Sequence, residues 1–169
     1  MNQLFHWDGG YPSLLKEVHS YPKCLYYKGN VNLLCNRNIT IVGTRNMTSY
    51  GAKIVNLLLS NFPKDLNISF VSGLAIGVDV YVHRICLENK LNTIAIVAGG
   101  LDVGYPRCNR KEYEQISKDG LVVAEYPCDT KLIKGMFPIR NRLLAGISDT
   151  IIVIEGDIDS GSMITANLA

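Results

Sequence analysis

The residues of this chain that are able to do chemistry gather in short glycine-bearing turns. Gly43-Thr44-Arg45 offers main-chain donors, a hydroxyl and a guanidinium in one turn, a composition suited to gripping a phosphate. The same triplet also reads as a tight strand-to-loop turn with a surface arginine. Ser72-Gly73 leads to Gly77 and Asp79, and Gly99-Gly100-Leu101-Asp102 is followed by Tyr105-Pro106-Arg107-Cys108-Asn109. Glu125-Tyr126-Pro127 and Glu155-Gly156, then Ser160-Gly161-Ser162, complete the series. Glycine lets a backbone approach a ligand closely or take a positive φ, so each turn is a candidate contact.

A second cluster is Phe137-Pro138-Ile139-Arg140-Asn141-Arg142. Two arginines in the first turn of a predicted helix oppose its dipole, which makes sense if an anion sits against them. Alternatively, one of them pairs with Glu125 or Glu155 and braces the sheet. Arg107, Arg110, Lys111, Lys131 and Lys134 add local positive charge, and Tyr105, Tyr126 and Phe137 offer stacking surfaces. A basic groove with aromatic platforms is the general solution for single-stranded nucleic acid. A run of lysines is also simply what a solvated face looks like.

Motifs for covalent chemistry are missing. Asp79 and His83 share a helix face but have no nucleophile beside them, so a structural hydrogen bond is the favoured reading. No G-x-S-x-G elbow is present, and Ser72-Gly73-x-x-x-Gly77 matches neither the dinucleotide fingerprint nor a Walker A loop. Cys24, Cys35, Cys86, Cys108 and Cys128 form no C-x-x-C pair. Neither a metal nor a cofactor is expected, and the thiols read as reduced in a cytoplasm.

These turns need a frame. The chain has 169 residues, 47% of them hydrophobic, enough for one domain with a real core. A formal charge of +2 leaves any polyanion site to local clustering. No stretch reads as a signal peptide or a membrane span. Nearly continuous apolar runs at 39–42, 68–71, 93–97, 121–124 and 150–154 predict strands buried on both faces. Segments of helical period at 52–60, 78–89, 109–118 and 140–147 alternate with them. The fold expected is therefore α/β: a doubly wound, mostly parallel sheet with helices on both faces. Residues 1–35, with Tyr11-Pro12 and Tyr21-Pro22, read as a lead-in of irregular or edge structure with one short helix at 13–20, packed on a domain spanning 36–169.

The order of these motifs resembles the DNA-processing protein A (DprA/Smf) family. Ile41-Val42-Gly43-Thr44-Arg45, Ser49-Tyr50-Gly51 and Ser72-Gly73-Leu74-Ala75-x-Gly77-Val78-Asp79-x-x-x-His83 carry the first half of the likeness. Gly100-Leu101-Asp102-x-x-Tyr105-Pro106-x-x-Asn109, Glu125-Tyr126-Pro127 and Phe137-Pro138-x-Arg140-Asn141-Arg142-x-x-Ala145-Gly146 continue it. Val153-x-Glu155 and Ser160-Gly161-Ser162-x-x-Thr165-Ala166 close it. The resemblance implies an extended Rossmann-like fold, single-stranded DNA as ligand, hand-over of that DNA to RecA recombinase in natural transformation, and a homodimer in the cytoplasm with no catalysis. It places the DNA pocket at Thr44 and Arg45, with Lys134, Arg140 and Arg142 as further contacts. It also implies that the stretch up to Ala169 lacks the last strand of the family fold.

Together these readings nominate Gly43, Thr44, Arg45, Ser72, Gly73, Gly100, Arg107, Asn109, Lys134, Phe137, Arg140, Arg142, Ser160, Gly161 and Ser162 for DNA and phosphate. Asp79, His83, Glu125 and Glu155 are assigned structural roles. Two competing functions share the fold: a sensor of a small nucleotide in the same crevice, and an enzyme like the nucleotide phosphoribohydrolases. The latter carry a P-G-G-x-G-T-x-x-E signature, and the stretch from Glu155 to Ser162 does not reproduce its spacing.

Overall fold

The computed structural model describes residues 2–103, 106–157 and 160–168. The five apolar runs form the parallel strands β3 (Arg37–Gly43), β4 (Ile68–Ser72), β5 (Asn92–Val97), β6 (Leu121–Ala124) and β7 (Thr150–Ile154), preceded by β1 (Asn2–Phe5) and β2 (Cys24–Gly29). They make one sheet in the order β1-β2-β6-β5-β4-β3-β7. All pairings from β6 to β7 are parallel, whereas β1–β2 and β2–β6 are antiparallel. The lead-in is thus two strands of the sheet itself. Leu25-Tyr26-Tyr27 lies in β2, where Tyr26 pairs with Ala124.

Both faces of the sheet are covered, which explains why its strands read as unbroken apolar runs. On one face Ile41 and Phe70 pack against α1 (Ser49–Leu59) and α2 (Val78–Glu88) through Val55, Leu59, Val82 and Ile85. On the same face Ala95, Val97, Val122 and Ala124 meet Tyr113 and Ile116 of α3 (Arg110–Asp119). Their alternating neighbours Val42, Val71, Ile94, Ile96 and Val123 face the other way, onto Leu143, Leu144 and Ile147 and onto Leu15, Leu33 and Leu34 of the lead-in. That second layer holds α4 (Met136–Gly146) and α5 (Gly161–Asn167). The expected helix at 13–20 is a single 3-10 turn, Leu14–Glu17. α5 has too short a periodic pattern to be found from sequence.

α4 begins at Met136, four residues before the expected start. Arg140 and Arg142 therefore sit in the second turn, where the helix dipole acts weakly, and the dipole argument for an anion lapses.

The Asp79 and His83 side chains serve separate structural roles instead of bonding to each other. The Thr93 hydroxyl donates to the Phe70 carbonyl (3.2 Å), so its oxygen accepts from His83 Nδ1 (2.7 Å). His83 is fully buried and its Nε2 has no partner among the described residues. Burial, with Arg140 nearby, pushes the imidazole down from 6.5 to about 3. An unfolded chain takes up a proton at this histidine below pH 6.5 that the folded chain refuses until about 3, so stability falls as pH drops through that window. At pH 5 this loss amounts to about 2 kcal/mol. Urea midpoints at pH 7 and pH 5 should separate less in His83→Gln than in the wild type. Equal separations would show that His83 does not set the acid sensitivity.

Candidate functional site

The segments that follow β3, β4 and β7, with the loop 132–135 and the start of α4, surround a crevice of about 960 Å³. Gly43, Thr44, Arg45, Lys134, Phe137, Arg140, Ser160, Gly161 and Ser162 line it, so nine of the nominated residues meet in one place. Its position agrees with the rule that open parallel sheets bind ligands outside their carboxyl ends, where the strand order reverses. Here that reversal is at β3, flanked by β4 and β7.

The Gly43-Thr44-Arg45 turn is held from both sides. The Thr44 amide donates to the Glu155 carbonyl (2.8 Å), and the Thr44 carbonyl accepts from the Val78 amide (3.1 Å). Gly77, at φ +89°, passes so close to the Thr44 and Arg45 carbonyls that a Cβ there would overlap them. The Thr44 amide is consequently spent on the fold, and the turn presents its hydroxyl and the arginine. The Arg45 guanidinium lies over the Phe137 ring, 5.4 Å from its centroid. Glu155 accepts from the Thr48 amide (2.9 Å) and the Thr48 hydroxyl, which holds its carboxyl below the usual range and ties β7 to the cap of α1.

Beneath the crevice, Arg140 and Asp79 are buried on either side of Gly73. Arg140 Nη1 donates to the Gly73 carbonyl (2.7 Å) and to the Ile96 carbonyl, crossing from α4 to the ends of β4 and β5. Burial raises the Asp79 carboxyl, while Arg140 and the amides of Ala75 and Gly73 oppose that rise. Burial likewise lowers Arg140, whose charge is favoured by Asp79 and disfavoured by Arg45. A Cβ on residue 73 would collide with both side chains, so glycine is required there. The following residue, Leu74, takes the left-handed region (φ 56°), and Asn109 Nδ2 holds its carbonyl at 3.0 Å.

Other nominated residues do not reach the crevice. The buried Ser72 hydroxyl donates to the Ile41 carbonyl (2.6 Å), and Asn109 is buried as a brace. Gly73 and Gly100 line a narrow recess beside the crevice, sharing Ala75, Leu132 and Phe137 with it. Arg107 is exposed on the turn Arg107–Asn109, outside the lining. Arg142 pairs with Glu125, both largely buried, so the bracing alternative holds for this arginine. Arg110 pairs with Glu114 at 2.8 Å. Tyr105 lies outside the described residues. Sequence reasoning overlooked Ile133, Asn141 and Ile164, which also line the site. Asn141 Nδ2 donates to the Gly161 carbonyl (3.1 Å) and fixes the start of α5, a role its place between two arginines hinted at. Among the described residues there is no cluster of three metal-ligating side chains and no helix long and apolar enough to cross a membrane.

The family model of DNA recombination-mediator protein A matches residues 2–169. This chain belongs to that family. It is 40% identical over 162 residues to DNA processing protein DprA of Streptococcus pneumoniae, covering 96% of this chain and 57% of the relative. DprA of Bacillus subtilis is 41% identical over 157 residues, 92% of this chain and 52% of the relative. The chain thus spans about half the length of these curated family members. The X-ray structure of the Streptococcus pneumoniae protein superposes with a TM-score of 0.92 at 38% identity, over 98% of this chain and 58% of that one. DNA processing protein A of Helicobacter pylori, whose structure concerns its single-stranded DNA binding mode, gives 0.88 at 34% identity, over 100% and 76%.

Arg140 lines the crevice, yet its geometry is that of a brace. Replacing it by Met strands the buried Asp79 and two carbonyls, which costs about 3–5 kcal/mol. Thermal unfolding of Arg140→Met should show a Tm many degrees lower. An unchanged Tm would remove the brace and return Arg140 to the ligand-contacting residues.

Proposed function

We propose that this chain binds single-stranded DNA in the crevice, without catalysing a reaction on it. In the cytoplasm, as part of a homodimeric protein, it protects incoming DNA and helps load RecA recombinase during natural transformation. The observation that carries this reading is the Arg45 guanidinium over the Phe137 ring, beside Lys134, at the mouth of a basic crevice. A cation for the phosphate and a ring for the base then stand next to each other, which suits a ligand read by backbone and stacking instead of by sequence. Among the described residues Asp79 is the only acidic one in the lining, and it is buried next to Arg140. Family membership and the single-stranded DNA bound by the Helicobacter pylori relative support the same ligand.

Glu155, the carboxylate that a phosphoribohydrolase reading needs, is engaged with Thr48. Phosphate contacts by Arg45 and Lys134 make binding salt-dependent, with log K falling by about 0.7 per contact on a single strand.

Fluorescence anisotropy of a labelled oligonucleotide at two salt concentrations checks this. Arg45→Ala should weaken binding about tenfold and flatten the salt slope by about 0.7. Unchanged affinity and slope would dismiss the crevice as the DNA site. Thermal stabilisation by a mononucleotide but by no oligonucleotide would make it a small-ligand sensor.

A further inference from the structure

The sheet carries a second aromatic and cationic cluster, far from the crevice but on the same edge. β2 runs antiparallel to β6 with Tyr26 opposite Ala124, so Cys24 and Lys23 lie beyond the carboxyl end of β6. Phe5 pairs with Cys24, and the His6 amide donates to the Lys23 carbonyl at 3.0 Å. The end of β1 therefore points the same way as the crevice. There Trp7 stacks on Phe5 with centroids 4.9 Å apart and planes 2° from parallel, and His6 meets Trp7 and Tyr21 edge-on. Lys23 Nζ stands 3.6 Å from the Tyr21 ring centroid. Trp7 is 69% exposed, so the face turned away from Phe5 meets solvent. Asp8, the nearest acid in sequence, is occupied as acceptor of the Phe5 amide (2.8 Å).

An exposed tryptophan braced on one face costs apolar surface in water and contributes nothing to the core. A flat π-surface near a lysine that rests on the Tyr21 ring and has no carboxylate partner among the described residues offers what a base and its phosphate need. We propose that single-stranded DNA leaves the crevice along the carboxyl edge of the sheet toward β1, and that Trp7 stacks a base there while Lys23 meets its phosphate. This rests on the reading of the crevice as a DNA site. From β3 to β1 the sheet order makes five strand steps, or ~24 Å at ~4.8 Å each. A stacked strand rising ~3.4 Å per nucleotide covers that in about seven nucleotides, following the sheet's twist. Tyr126, partly exposed just after β6, lies on the way, and Glu125 and Asp102 at that end of the sheet are paired with Arg142 and Lys28, while Asp129 is exposed.

Trp7 is the only tryptophan of the chain, so its emission reports this site alone. Titration with oligo(dT) of about fifteen nucleotides should quench it with the midpoint seen by anisotropy, whereas a pentamer binding in the crevice should leave it unchanged. Trp7→Leu should weaken the long oligonucleotide about tenfold and spare the pentamer, and Trp7→Phe should restore most of the loss. Lys23→Gln should flatten the salt slope of the long oligonucleotide by about 0.7. Arg45-dependent binding of the long strand with constant Trp7 emission would overturn this path and leave the crevice reading intact. Emission that responds to protein concentration but not to DNA would make the patch a contact between copies and overturn it too. No binding by any oligonucleotide would overturn both readings.

Discussion

A buried guanidinium and a buried carboxylate, facing each other across a glycine, set the shape of the whole carboxyl edge. Arg140 reaches from α4 to the ends of β4 and β5, and Asp79 anchors the start of α2 to the loop after β4. Neither charge is tolerable alone in that interior, because desolvation costs several kcal/mol for each ion. Each therefore requires the other, and both require Gly73. The loop between them must follow a fixed path, with Leu74 in a left-handed conformation. Such strain, of order 1–3 kcal/mol, survives only where surrounding contacts overdetermine it. Asn109, Asp79 and Arg140 supply those contacts.

The crevice inherits its form from that pair. With the β4–α2 loop fixed, Gly77 can pass under the Gly43-Thr44-Arg45 turn, and Val78 can hold the Thr44 carbonyl. The Arg45 side chain then emerges toward α4 and settles on Phe137. Arg45 stands close enough to Arg140 to disfavour the charge of that buried guanidinium, against the larger effects of burial and of Asp79. On the proposed reading of the crevice as a DNA site, an entering phosphate offsets that repulsion.

Much of this was legible beforehand, for reasons of differing strength. Strands buried on both faces leave an unmistakable apolar trace, so β3 to β7 and most of α1 to α4 were readable. β1 and β2 were legible only as irregular or edge structure, since β1 is a four-residue edge strand, β2 is largely half-exposed, and Pro12 and Pro22 break the pattern between them. Within the site, residue type revealed location better than role. Ser72, Asn109 and Arg142 occupy the right end of the sheet, yet their polar groups satisfy buried carbonyls or a carboxylate. A sequence shows that a polar residue is near a site, but only geometry shows whether its hydrogen bonds are already taken. Tyr126 and Phe137 raise the same ambiguity for rings, resolved for Phe137 by the guanidinium above it.

The small net charge also acquires a physical sense. A formal charge of +2 exerts little long-range pull, and beyond about 8 Å physiological salt screens what there is. Elsewhere, three basic side chains are offset locally, in Arg84–Glu112, Arg110–Glu114 and Lys28–Asp102. Lys134, lining the crevice, and Lys23, beside the aromatic patch, are exposed at separate points on one edge. A protein arranged this way gains little from general attraction to polyanions. On the proposed DNA reading, affinity comes from short-range stacking and phosphate contact at defined positions, which favours a flexible strand able to follow a twisted edge over a stiff duplex that cannot.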